Sequence, residues 1–504
     1  MISWTIAILS VYLLVILTIG FFSGRGAGKD AESFFVANRH LSWLQESMAV
    51  VTTIVSAAAL VGTIGLFYAD GADMLGYVIG FAFLMPLTYW YIGSRLRRLG
   101  RARGYQTQAV FIGDFYHSRY LHWCIALTGI LFAIPYFMTS PVAMGFLLNR
   151  YTGIPYPAGV LIFVTVSAVY TLKGGLRAVA NTDIFHGALL LAFLLVTVVT
   201  LMLYAGGLQH VLDVTPRATV STSGRGMKLF LSWIIYMGFG ACVQPDRCFR
   251  MFAVRDENNM RKGVIISGAM VGFAAFSYLS IAIAVRTFLP NIKNTDTTMA
   301  TGLQVAAAWL IPWLVMNAWG SGMSNFTAGL LSTANIFIKD IFEPWYVRRH
   351  NMPLGPKRDR LIIMVARTFI VCIVLITVCV SFYPPVFIWT LMNLWAGSFI
   401  QFFPLFMLGF LWRGVTRLGA SLGLTSGIAC MVLWSFVFKS PFGLVAGINA
   451  LAVNTVVLIV VSLVVPEKQE LKDEREELRR VASPEAETER AAAAAVAVAP
   501  AIAE

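Results

Sequence analysis

Charge is scarce in this chain: Asp, Glu, Lys and Arg supply 12% of its 504 residues, and acids are the rarer sign, 25 against 38 bases. Soluble domains carry about 25% charged and 45–50% apolar residues. A chain that is 58% hydrophobic, with a mean hydropathy of +0.74, is therefore not a large water-soluble enzyme. The six cysteines lie inside or at the ends of apolar runs with no CxxC, which leaves no disulfide framework or zinc knuckle to build. The six histidines show no ligand spacing. No catalytic cluster of His, Cys or paired carboxylates falls within an apolar run, which argues against a membrane-embedded enzyme. Residues 1–22 have neither a basic n-region nor an A-x-A site, and read as a retained first span rather than a cleaved signal.

Apolar runs fill the rest. Reading them at about 20 residues per crossing gives about thirteen spans, near 3–22, 42–67, 73–94, 121–148, 155–172, 183–206, 229–251, 263–288, 304–338, 361–382, 386–412, 417–437 and 444–465. With the N-terminus outside, thirty Lys and Arg fall in inward connections and the tail and seven fall outside, with Arg367 within a span. That asymmetry places the N-terminus outside and the C-terminus in the cytoplasm of a multi-pass plasma-membrane protein. The formal charge of +13 thus reflects topology and anionic-lipid contact, and nucleic acid is excluded as a partner. Residues 466–504 read as a cytoplasmic low-complexity tail, mixed in charge as far as Arg490 and then nearly all Ala, Val and Pro.

Two spans are interrupted. Span two runs Thr52-Thr53-Ile54-Val55-Ser56 through small residues to Gly62 and Gly65, and span seven runs Tyr236-Met237-Gly238-Phe239-Gly240 to Gln244-Pro245. Unwound backbone is tolerated in a membrane only against protein or a polar cavity. The two breaks are five spans apart, so they run in opposite directions. The spacing predicts inverted repeats at 42–206 (spans two to six) and 229–412 (spans seven to eleven), preceded by 1–41 and followed by spans twelve and thirteen at 413–465.

The most specific run is Tyr170 to Asp183, YTLKGGLRAVANTD, read as a Gly-Gly turn at the inner face with Asp183 in the first turn of span six. Together with Gln244-Pro245 and Arg250, and with Met323-Ser324-Asn325, Ser332-Thr333 and Asp340, it resembles the sodium:solute symporter family, over residues 1–465. The resemblance implies an all-α membrane protein with a leucine-transporter-like 5+5 inverted repeat. It implies a sodium ion held by the backbone carbonyls of Thr52 and Val55 and the side chains of Ser324 and Asn325, with Asp183 beside it. It also implies solute contacts from the spans around the breaks, for which the candidates here are Tyr136, Thr139, Ser140, Tyr236, Met237, Asn393, Trp395, Ser398 and Gln401.

The expected activity is secondary active transport: sodium-coupled symport of a small organic solute, such as a monocarboxylate or an amino acid, by alternating access. No organic cofactor is implied, and the partners are the solute and the lipid bilayer. Asn325 stands where the family usually has Ser or Thr, and His186 where it often has Gln. These departures keep a proton-coupled carrier of the same fold as the alternative, with a membrane solute sensor as a second. No arginine deep within a span is expected, so a small anion would rest on helix N-termini and hydroxyls. Arg367 matches a family arginine of structural or gating role, and Glu46 is expected to snorkel to the inner interface.

Overall fold

The protein is described by a computed structural model covering residues 2–23, 30–215, 225–382, 388–438 and 441–490. The alanine-rich segment 491–503 lies outside these residues, as do Arg25, Lys29, Arg217 and Lys439 of the charge count. The described residues are helical almost throughout, with one isolated bridge between Leu41 and Val254. Ten helices among them are long and apolar enough to cross a bilayer.

The difference from thirteen expected spans has identifiable causes. Spans five and six are merged into one element, α5 (Tyr156–Tyr204), which turns at Gly175. There φ is +57°, a left-handed conformation that glycine adopts at no steric cost, and an added Cβ would stand 2.8 Å from the carbonyl oxygen of Phe34. Helical geometry resumes directly, so Asp183 is not in a first turn as expected; it sits about two turns along the new segment, fully buried. The second half of span two continues into span three as one apolar stretch, 59–103, ending in α3 (Met85–Arg103). The run expected at 304–338 is divided: a short helix ends at Ala306, and α9 (Ile311–Ile336) begins with Pro312 in its first turn, where the missing N–H costs nothing.

Span nine is not among the ten apolar helices because α9 is rich in Asn, Ser and Thr. Every residue of it except Trp313 is buried, packed against α1 (Ile2–Ser23), α2 (Trp43–Ile54), α4 (Ala133–Thr152) and α5. A helix this polar avoids lipid only by occupying the centre of the bundle, where its hydroxyls and amides meet other helices.

Two interrupted elements flank α9. The first, α2, starts with a capping box in which Ser42 and Gln45 satisfy each other's backbone N–H groups. Its ladder passes from Val55 N–H on Val51 O (2.8 Å) to Leu60 N–H on Ser56 O (3.0 Å), leaving the carbonyls of Thr52 to Val55 outside it. The second runs from α6 (Arg225–Gly240) through a 3-10 turn at Ala241–Val243 to α7 (Pro245–Ala253). Pro245 forces Gln244 into extended backbone (φ −72°, ψ 142°), as a proline does to the residue before it. Beyond lie α8 (Glu257–Phe288), α10 (Pro356–Ser381), α11 (Ile388–Phe399), and the closely packed pair α12 (Arg417–Phe436) and α13 (Ala446–Val464).

The described part of the tail, as far as residue 490, is largely helical. Helix α14 (Gln469–Val481) and a short helical segment at 484–490 fold back against the bundle. Glu487 pairs with Arg98 at 3.1 Å and with Arg97, which also meets Glu257 at 3.0 Å. Arg479 donates to the carbonyls of Gly409 and Trp412 at 2.8 and 3.0 Å. Arg97, Arg98, Arg247 and Arg250 are therefore not the free loop cations that the charge count assumed: all four are buried.

Candidate functional site

Thr52, on the last turn of α2, meets Ser324 on α9, their hydroxyl oxygens 2.8 Å apart. Asp183 of α5 stands beside both hydroxyls, and all three residues are buried. The carbonyls of Thr52 and Val55 lie at the α2 break, outside its hydrogen-bond ladder. Hydroxyl, carbonyl and carboxylate oxygens form a hard donor set, suited to an alkali cation that must bind and leave on each cycle. The residues thus fit a sodium ion as cargo. Asn325, the next residue on α9, faces instead the adjoining cavity, where its Oδ1 is buried without a partner.

Arg250 of α7 ties this corner together. Its Nη1 donates to Ala49 O and to Thr53 Oγ1, both at 2.8 Å, and its Nη2 lies 3.5 Å from Asp183 Oδ2. On the far side of Asp183, His186 places Nδ1 3.9 Å from Oδ1, with its ring against Tyr12. One arginine thereby bridges both broken elements and the Asp183 helix, so displacement of any one of them is felt by the other two.

Between the two breaks lies a narrow central cavity of about 50 Å³, smaller than the usual 300–1,000 Å³ of a small-molecule site. Of the expected solute contacts, Tyr136, Thr139, Tyr236, Met237, Asn393 and Trp395 line it. Tyr136 and Trp395 stack face to face with ring centres 4.1 Å apart, and the Tyr136 hydroxyl is buried without a partner. Tyr236 donates to the Asn393 carbonyl at 3.0 Å.

Three expected contacts lie elsewhere. Ser398 returns its hydroxyl to Leu394 O. Gln401 donates to Gly397 O and Gly447 O, and Asn454 donates to it, so its amide fastens α11 to α13. Ser140 is buried without a partner on α4, beside Gly322, outside the cavity lining.

The cavity also contains groups that sequence reasoning missed: Thr53, Ile54, Ser56, Tyr77, Phe81, Gln244 and Arg247. Arg247 corrects the expectation that no deep arginine exists. It is 2% exposed, one guanidinium nitrogen reaches Ala241 O at 3.3 Å, its Nε is unpartnered, and no described carboxylate pairs with it. The signal was present in the sequence, because Arg247 is two residues past Pro245, but counting it as a loop cation hid it. Glu46 is likewise corrected. It does not reach the interface; it is fully buried and accepts a 2.5 Å hydrogen bond from the Tyr89 hydroxyl. Arg367, by contrast, is exposed in the N-terminal half of α10, over the ring of Phe34.

Comparison with known proteins places this geometry. Sodium/proline symporters of Staphylococcus aureus, strains USA300 and JH9 among them, are 22% identical over 485 residues, covering 91% of this chain and 93% of theirs. A Na+-coupled sialic acid symporter solved in a substrate-bound, outward-open state superposes with a TM-score of 0.77 at 17% identity, covering 92% of this chain and 98% of that one. The nucleobase-cation-symport-1 transporter Mhp1 superposes at 0.56, with 15% identity over 88% and 98% of the two chains. The fold is thus the leucine-transporter-like one. The family model described as "Sodium:solute symporter family" matches residues 34–427, and the chain belongs to that family.

Proposed function

We propose that this symporter couples sodium, bound by Thr52, Val55, Ser324 and Asp183 with Asn325 at its edge, to the uptake of a small solute bearing a carboxylate, a monocarboxylate or an amino acid. Family membership supplies the coarser statement, sodium-coupled symport of a small solute. Arg247 carries the finer one. A buried guanidinium without a counter-ion is costly, and a cavity lined by that cation is completed by an anionic ligand. The remaining lining is apolar and aromatic apart from a few amides and hydroxyls, which suits a compact organic body rather than a sugar.

The cation corner and the solute cavity share the α2 break and the Ser324–Asn325 step. Filling the first fixes the backbone that lines the second, which is how the sodium gradient would order the solute site. Residues 42–206 and 229–412 would be the two inverted repeats that rock about it, with the N-terminus outside and the C-terminus in the cytoplasm of the plasma membrane. The test is uptake of labelled carboxylates, such as lactate, pyruvate and proline, into proteoliposomes with and without an inward sodium gradient. Uptake that persists with choline in place of sodium and collapses with a protonophore would replace sodium by the proton. Equal uptake of acids and their uncharged amides would remove the role of Arg247.

A further inference from the structure

We infer that Glu46 is a proton-binding site, so that this carrier binds and releases a proton at a position separate from its sodium and solute sites. The geometry is that of a carboxylic acid rather than of an ion pair. Glu46 lies on the first turns of α2 with no exposed surface. Its Oε1 accepts the Tyr89 hydroxyl at 2.5 Å, and its Oε2 is buried with no partner. No Lys, Arg or His pairs with it among the described residues.

The groups that face it come from every neighbouring helix. α3 supplies Tyr89 through its hydrogen bond, and α7 supplies Arg250 and Asp246 and α5 supplies Asp183, all three acting on Glu46 through space; α8 presents Gly263 against the Glu46 stem. Of the two buried arginines nearby, Arg250 spends its donors on Ala49, Thr53 and Asp183, and Arg247 faces the solute cavity. Three buried acids, Glu46, Asp183 and Asp246, are set against two buried arginines, and among the described residues neither Glu46 nor Asp246 has a cation at hydrogen-bonding distance; Glu46 is the one held by a hydroxyl at Oε1 while its Oε2 is left without a partner. A proton taken from water onto Oε2 cancels the excess charge, and the orphaned oxygen is the atom that holds it.

This site differs from Asp183, which belongs to the sodium corner. It also predicts a direction of coupling. A sodium ion bound beside Asp183 competes with Arg250 for that carboxylate, leaving more of the Arg250 charge to act on Glu46, which favours the ionised form. Sodium and the Glu46 proton therefore oppose each other, and by linkage protons weaken sodium binding to the same extent that sodium expels protons. The O–H bond of the acid breaks, the proton passes to water, and the carboxylate stays behind with its Tyr89 hydrogen bond.

The coupling rests on the sodium site proposed above, whereas the protonation does not, and two measurements keep them apart. First, the infrared carbonyl band of a protonated carboxylic acid is recorded on purified protein at neutral pH without sodium. The wild-type minus Glu46→Gln difference shows that band; its absence overturns the proposal whatever the transported solute. Tyr89→Phe, which keeps Glu46 and removes its donor, shifts the pH at which the band disappears upward. It also serves if Glu46→Gln does not fold, and an unshifted midpoint in that variant overturns the assignment. Second, sodium is added to weakly buffered protein with a pH indicator, with choline as control. Wild type releases protons and Glu46→Gln releases none; equal release from both overturns the coupling to Glu46. No sodium response of any kind, with the infrared band present, overturns the sodium site and leaves the proton site standing.

Discussion

Replacing Arg247 by Gln is the sharpest test of the solute site. Arg247 is 2% exposed, with a single hydrogen bond, to Ala241 O, so its remaining donors are available to a ligand. A hydrogen bond to a charged group contributes about 1.5–3 kcal/mol, and about 1.4 kcal/mol is a factor of ten in affinity. The half-saturating concentration of a carboxylate solute should therefore rise about 10- to 140-fold in R247Q. Its uncharged amide, which gains nothing from the guanidinium, should change by less than threefold. Stability should move the other way: removing an unpaired buried charge without opening a large cavity leaves the solute-free protein at least as resistant to heat as wild type. Arg247→Lys keeps the charge but loses the planar fork, and should fall between the two. The assay is sodium-driven uptake of paired acids and amides in proteoliposomes, with thermal unfolding of the same samples in detergent. An unchanged acid-to-amide preference in R247Q would refute the reasoning, and so would a sharp drop in solute-free stability, which would mark Arg247 as a structural strut.

Other expectations follow from particular contacts. Ser324→Ala removes one hydroxyl of the pair with Thr52 and should raise the sodium concentration for half-maximal uptake by about tenfold, on the scale of one such interaction, while insertion stays normal; wild-type sodium dependence would move the cation site. Gly175→Ala puts a side chain at φ +57° against Phe34 O, at about 1–2 kcal/mol for the left-handed backbone alone, and should lower Tm and yield; an unshifted Tm would contradict that turn. Burial by itself would raise the carboxyl of Glu487, but hydrogen bonds and charges from Arg97 and Arg98 outweigh it and hold Glu487 below the ordinary carboxylate range. Its contribution to tail docking is then complete above the ordinary range and lost as pH falls through its own, depressed value. Proteolysis of the tail, followed against pH, should stay slow at neutrality and accelerate only in strong acid; acceleration already near neutrality would sink this account. Single cysteines at the exposed positions Arg103 and Leu354 should react only with reagent supplied from the cytoplasmic side, and labelling from outside would reverse the topology.

Span positions, the two breaks and the meeting of α2 with α9 at Thr52 and Ser324 were legible because each rests on local pattern: hydropathy over a window, Gly and Pro inside it, and a hydroxyl next to a motif. Long-range pairing was not legible. Nothing near Asp183 in sequence announces Arg250, 67 residues away, and nothing near Glu46 announces Tyr89. Charge counting failed for the same reason at Arg97, Arg98, Arg247 and Arg250. It treats cations between apolar runs as loop residues, whereas a helix that re-forms at once after a proline, as α7 does, carries them into the bundle. Asp183 was misplaced by the Gly-Gly pair, which looks like a loop and is in fact a kink at Gly175 that joins two helices directly. The solute contacts divided according to helix face: on α11, Asn393 and Trp395 look into the cavity, while Gln401, on the following 3-10 turn, fastens α13.

The folded-back tail bears on how this protein is handled at the bench. Leu478 and Ala482 are 4% and 2% exposed, so they seal apolar surface under the bundle, and Arg475 and Arg479 lie over the rings of Tyr116 and Phe115. Cutting the chain after the last membrane helix, a common way to trim a membrane protein for crystals, would uncover those rings and strip Arg97 and Arg98 of Glu487. An affinity tag or fluorescent fusion belongs beyond residue 490, not in place of the preceding stretch. Buffer matters as well: the Arg103–Glu477 and Arg413–Glu476 pairs sit at the water boundary, where the screening length shrinks from about 8 Å at 0.15 M salt to about 3 Å at 1 M. Purification in concentrated salt would therefore loosen the tail before it touches anything in the membrane, and a preparation that loses activity on a high-salt column should be examined at this end of the chain first.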